Sequence, residues 1–115
     1  MAYTTIDDPS AYFQTALYTG TGSSQSITND GNSDLQPDWV WTKTRGDANN
    51  HAVFDSTRGV QKFILPNATN SEDTDSSTLT AFNSNGFTGN GSGLINGSSR
   101  TCSMAMEVTR GQYCF

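Results

Sequence analysis

Few side chains in this chain could do chemistry. His51 is the one histidine, and a lone imidazole works as a base only beside a nucleophile or a polarising partner. Asp55 falls on the same strand face four positions on, but an extended chain carries it about 13 Å away, too far for a dyad. Asp55 and Arg58 flank the turn in "FDSTRG". Either the carboxylate caps the turn amides and holds the guanidinium, or Arg58 offers its planar fork to an acidic sugar or carboxylate. Asn49 and Asn50, in the turn before, are the other hydrogen-bonding groups expected at a ligand. Glu72, Asp73 and Asp75 crowd three carboxylates together, an oxygen set that suits calcium, although the Gly and the twelfth-position Glu of an EF-hand loop are missing. A solvated acidic loop is the simpler expectation there and in "NDGNSD"; no other metal or cofactor is implied. The Arg45-Gly46-Asp47 tripeptide reads as chance in a turn. No nucleophile elbow, phosphate loop or His-rich set occurs. The acids sit mostly in loops, so no pair about 5 Å apart can be nominated for retaining glycosidase chemistry. A non-enzymatic protein is expected.

These residues need a frame, and the pattern is that of strands. "YFQTALYTG" puts Phe13 and Leu17 on one face, Ala16 and Tyr18 on the other. In Asp38 to Thr44, period two sets Trp39, Trp41 and Lys43 against Val40, Thr42 and Thr44. "HAVFDS" and "VQKFIL" follow as strands, and "TLTAF", Asn85-Gly86 and Phe87-Thr88 read as a hairpin. An antiparallel sheet normally buries one face, so the two indoles are expected inside. Burying them would contribute several kcal/mol at about 25 cal/mol per Å². The alternative is an exposed platform for a sugar ring. The expected core is Phe13, Leu17, Trp39, Trp41, Val53, Phe54, Phe63, Leu65, Phe82 and Phe87.

Composition agrees. Hydrophobic residues make up 33% and charged residues 15% of 115, and the surplus of Ser, Thr, Asn and Gly disfavours helix interiors. Turn signals recur at roughly ten-residue spacing, as in a sandwich or barrel. Six scattered basic residues against eleven acids give a charge of −5. No nucleic-acid stripe, polybasic anchor or apolar run of the ~20 residues that span a bilayer is present. "MAYTTIDDPSAYF" has no signal-peptide pattern, so synthesis in a cytoplasm is expected. The sequons at Asn67, Asn90 and Asn96 matter only in a secretory pathway.

Three motifs carry a resemblance: "QPDWVWTKTR" (Gln36 to Arg45), "HAVFDSTRG" (His51 to Gly59) and "FNSNGFT" (Phe82 to Thr88). With the opening "MAYTTIDDPSAYFQTALYTG", they resemble β-sandwich domains of tail-fibre-like virion proteins of marine bacteriophages, similar to concanavalin-type (LamG-like) jelly rolls. In that family a strand like "VAWQWK" follows the glycine-rich connection; here "TCSMAMEV" stands in its place. Methionine is ATG, and alanine and glutamate codons begin with G. Reading one base further turns Met104-Ala105 and Met106-Glu107 each into TGG, and suitable degenerate bases yield Val-Ala-Trp-Gln-Trp-Lys. A frameshift near Arg100 is therefore expected. Residues 1–100 would be a partial sandwich, and residues 101–115 a tail out of frame, disordered or misfit. Cys102 and Cys114 fall in that tail, so a disulfide and a redox compartment stay open.

The resemblance implies a virion-associated module, structural or binding a host-surface glycan, with other virion chains and host polysaccharide as partners and homo-oligomers possible in principle. Two other classes stand beside it: an architectural decoration or oligomerisation domain, and an accessory carbohydrate-binding domain of a glycan-active enzyme.

Overall fold

The computed structural model describes residues 7–98 and the backbone of 103–108. Asp8 caps a single 3-10 turn, Pro9–Ala11, by accepting the Ser10 amide at 3.0 Å. Nine strands follow among the described residues: β1 (Phe13–Tyr18), β2 (Gln25–Thr28), β3 (Trp39–Thr44), β4 (Ala52–Asp55), β5 (Lys62–Phe63), β6 (Asp73–Thr74), β7 (Leu79–Asn83), β8 (Gly86–Gly89) and β9 (Ser103–Val108). They form a four-stranded sheet ordered β1-β9-β3-β4, a three-stranded sheet ordered β2-β8-β7, and a β5–β6 ladder. All pairings are antiparallel, so the fold is all-β. No described helix is long and apolar enough to cross a membrane.

The two larger sheets share one core. Val40, Ala52 and Phe54 of the first meet Ile27, Leu79 and Phe87 of the second, with Phe63 and Ile95 closing the cluster. Tyr18 and Phe87 meet edge-on across the gap, centroids 6.1 Å apart. Tyr18 also donates its hydroxyl to the Ile95 carbonyl at 2.6 Å. Leu35 and Ile95 are fully buried as well; neither was in the expected core, because each stands in a run of turn-forming residues.

The inner face of β3 is the reverse of the one expected. Val40, Thr42 and Thr44 are fully buried, and Trp39 and Trp41 are half-buried on the opposite side. The two-residue period was right, but side-chain size pointed to the wrong face. The gap between the sheets takes small β-branched side chains, provided their polar atoms are satisfied. They are: Thr42 donates its hydroxyl to the Leu94 carbonyl at 3.1 Å, and Thr44 to the Gly93 carbonyl at 2.7 Å. The glycine-rich connection thus supplies acceptors to a buried strand.

Strand β1 also departs from expectation. Gln14 is buried, whereas Phe13 and Leu17 are 45% and 62% exposed and belong to the outer face. Gln14 reaches the Ser10 and Ser33 carbonyls, both at 2.8 Å, and accepts the Gly31 amide at 3.0 Å. It ties the 29–34 loop to the start of β1. Of the remaining expected core residues, Val53, Phe54, Phe63 and Phe87 are buried, and Leu65 and Phe82 are partly buried against the cluster.

The expected strand over Val60 to Leu65 shrinks to β5 and a bridge between Val53 and Ile64. Positive φ at Gly59 (96°) and Gln61 (67°) breaks the extended run before it can lengthen. The β7–β8 hairpin turns on Ser84-Asn85, with Gly86 already paired to Asn83. Gly86 has φ 132°, and a Cβ there would lie 1.9 Å from the Ile27 carbonyl oxygen of β2, so the residue must lack a side chain.

Within the tail expected to be out of frame, residues 103–108 run as β9, paired along six positions with both β1 and β3. Cys102 and Cys114 lie outside the described residues.

Candidate functional site

The site is the outer face of β3 and β4. Register sets Trp39 beside Asp55 and Trp41 beside Val53, and paired residues of an antiparallel ladder share a face. Trp39 and Trp41 stand edge to face, centroids 5.9 Å apart and planes at 81°, the arrangement that the quadrupole of an aromatic ring favours. Both indoles are half-open.

His51 fixes Trp41. The indole Nε1 donates to His51 Nδ1 at 3.1 Å, with ring centroids 5.7 Å apart. With Nδ1 accepting, the imidazole proton sits on Nε2, which remains a donor. His51 is held in turn: its amide donates to Asn67 Oδ1 at 2.9 Å, and Asn67 Nδ2 donates to Asn50 Oδ1 at 3.0 Å. Lys43, next along the β3 outer face, donates its ammonium to the Asn49 and Asp47 carbonyls at 2.7 and 3.2 Å. The Arg45-Gly46-Asp47 turn is thereby pinned to the strand that precedes it.

An ion-paired group lies at the other end. Arg58 donates Nε to Asp55 Oδ2, and its amide donates to Asp55 Oδ1 at 2.8 Å; Arg58 Nη1 stands 3.7 Å from Glu72 Oε2. Partial burial works to raise the Asp55 carboxyl, but the Arg58 amide and guanidinium outweigh it and hold it below the usual carboxylate range. The turn-capping alternative for "FDSTRG" is the geometry observed.

The sequence candidates therefore divide. Asp55 and Arg58 meet beside Trp39. Asn49 and Asn50 belong to the far end of β4, where Asn49 donates to the Gly93 carbonyl at 3.0 Å. Five residues of extended chain separate Asn50 from Asp55, roughly 16 Å, so the four are not one cluster. Glu72, Asp73 and Asp75 do not converge either. Glu72 faces Arg58, Asp73 Oδ1 accepts the Thr74 amide, and Asp75 Oδ1 accepts the Ser77 amide and hydroxyl. Both Ser77 bonds lower the Asp75 carboxyl. Among the described residues no three His, Cys, Asp or Glu stand close enough to hold a metal ion. The Asn96 sequon is buried and bonded to Thr21 and Ser23.

Sequence reasoning missed the Trp41–His51 bond and the part Glu72 plays beside Arg58. Both depend on pairing between segments, and the shared face of Trp39, Trp41 and Lys43 was the one available signal.

The pattern of a domain of unknown function, DUF7483, matches residues 8–105. The chain belongs to the DUF7483 family. That match takes in both indoles, His51 and the Asp55–Arg58–Glu72 group of this DUF7483 domain. No curated protein and no solved structure matches the chain.

Proposed function

We propose that this DUF7483 chain is a non-enzymatic, virion-associated module of a phage tail-fibre-like protein, a partial concanavalin-like jelly roll that binds host-surface glycan. One observation carries the binding reading: the two tryptophans stand half-open, edge to face, on the side of the sheet turned away from the core. Indole faces take the C–H faces of a sugar ring, and flanking polar groups take its hydroxyls. Here those groups are His51 Nε2 at one end and the Asp55–Arg58 pair at the other. The virion setting rests on the motif resemblance.

The frameshift proposal concerns β9. Position 106 pairs with Thr15 and Trp41, and position 104 with Leu17 and Lys43. A restored Trp-x-Trp would put one residue in the row of Trp41 and the other in the row of Lys43. If no single-base slip near codon 100 of the coding DNA yields that strand, this part of the proposal is wrong.

A host-polysaccharide array tests binding. Retention of the folded chain on at least one surface polysaccharide, lost in Trp39→Ala and Trp41→Ala variants that keep the β-sheet circular dichroism spectrum, supports the reading. No retention on any polysaccharide favours the architectural alternative. That second reading has its own observation: edge strand β1 carries no charged residue and exposes Phe13 and Leu17. Beside it, a cleft of about 430 Å³ opens between β1 and β2. Uncharged open edges pair readily with further strands.

A further inference from the structure

Three Asn-Gly pairs occur in the sequence: Asn85-Gly86, Asn90-Gly91 and Asn96-Gly97. Asparagine is thermolabile, and before glycine its side chain is open to the next main-chain nitrogen, which no Cβ shields. The structure treats the three pairs differently. The Asn85 carboxamide is clamped at both ends: Oδ1 accepts the Leu35 amide at 3.1 Å, and Nδ2 donates to the Asn29 carbonyl at 3.2 Å. Gly86 is buried where β8 pairs with β2 and β7. Asn96 is itself buried; its Oδ1 accepts the Thr21 amide at 2.9 Å, and Nδ2 donates to the Thr21 hydroxyl and the Ser23 carbonyl. Each of these carboxamides must break two or more bonds to turn toward the following nitrogen. Asn90 has already turned. The Gly91 amide donates to Asn90 Oδ1 at 3.0 Å, and Nδ2 reaches the Ser76 carbonyl only at an exposed 3.4 Å. Neither Asn90 nor Gly91 is fully buried. A nitrogen on Oδ1 stands beside Cγ, near the roughly 3–3.5 Å of a near-attack conformer.

We propose that Asn90-Gly91 is a self-modification site, where the folded chain converts Asn90 to aspartate and isoaspartate. The Gly91 nitrogen gives its proton to solvent hydroxide and bonds to Asn90 Cγ; the Cγ–Nδ2 bond breaks and ammonia leaves. Water then opens the five-membered imide. Cleavage at Cγ yields aspartate. Cleavage at the main-chain carbonyl yields isoaspartate, with the chain rerouted through Cβ and Cγ. The rerouted chain carries an extra methylene into the connection that follows β8. Gly91 lies there against the backbone of Gly22, where even a Cβ would come 2.5 Å from the carbonyl oxygen. Further along the same connection, the Gly93 and Leu94 carbonyls hold the Thr44 and Thr42 hydroxyls. Isoaspartate at position 90 therefore acts on the inner face of β3, whatever the outer face binds.

Peptide mapping by mass spectrometry tests it on the full chain aged at mildly alkaline pH, once folded and once in urea. In the folded chain Asn90 should convert at least about tenfold faster than Asn85 and Asn96, and in urea the three rates should converge to within about threefold. The isoaspartate fraction, separated from the parent by chromatography, should melt lower by about 4 °C or more. Asn90→Asp keeps the ordinary chain path and should stay within about 2 °C of the parent. Conversion of Asn85 or Asn96 as fast as Asn90 in the folded chain overturns the assignment, and so does an Asn90 that converts only in urea. An isoaspartate fraction that melts with the parent overturns the effect on β3 and leaves the modification standing.

Discussion

Val40, Thr42 and Thr44 vanish between two sheets, while Trp39 and Trp41, on the same six-residue strand, stay half-open. The inner face is held by apolar contact and by hydroxyls given to the 93–94 carbonyls. The outer face is held by ring geometry and one imidazole. Stability should therefore reside mainly on the inner side of β3, and the proposed recognition would use the other.

The largest effect should come from the inner side. Phe54→Ala, next to Val40 in register and fully buried, should cost about 3–5 kcal/mol in urea unfolding. Trp39→Ala should cost clearly less, and an equal loss would erase the contrast between the faces. Thr44→Val keeps the shape but leaves the part-buried Gly93 carbonyl without that hydroxyl, so a loss of about 1–3 kcal/mol is expected. A neutral outcome would mean that Asn49, which shares this acceptor, suffices alone. Trp41→Phe removes the Nε1 donor and also shrinks the ring that packs on Trp39 and His51, and thermal unfolding should register a loss of about 1–2 kcal/mol.

Acid should act weakly and with a defined sign. Asp55 is held below its ordinary value in the fold, so its contribution is present at neutral pH and is lost as pH falls below about 4. Asp8, lowered by the Ser10 and Ser33 hydroxyls, and Asp75, lowered by Ser77, act in the same direction. Unfolding midpoints from pH 6 down to pH 2 should decline less in Asp55→Asn than in the parent chain; parallel curves would remove Asp55 from this account.

Much of the fold was legible in local pattern. The alternation in Trp39–Thr44 and the Asn85-Gly86 signal each marked a real strand or hairpin, since both depend on neighbours in sequence. Which face of β3 turns inward was not legible. It depends on what stands opposite, here carbonyls 93 and 94 and the ring of Phe87. The site was half legible for the same reason. Asp55 and Arg58 are three residues apart and could be paired by inspection. His51 with Trp41, and Arg58 with Glu72, needed the register of separate strands. The truncated β5 followed from a positive φ at Gln61, a conformation that residue type alone does not announce.

The outward placement of the indoles can be measured without a ligand. Because both tryptophans report from the same face, acrylamide quenching of the folded chain should be well above that of a buried ring and below that of the unfolded chain. It should fall when a bound oligosaccharide covers the face. Emission that acrylamide cannot reach until the protein unfolds would put Trp39 and Trp41 in the core and contradict the account.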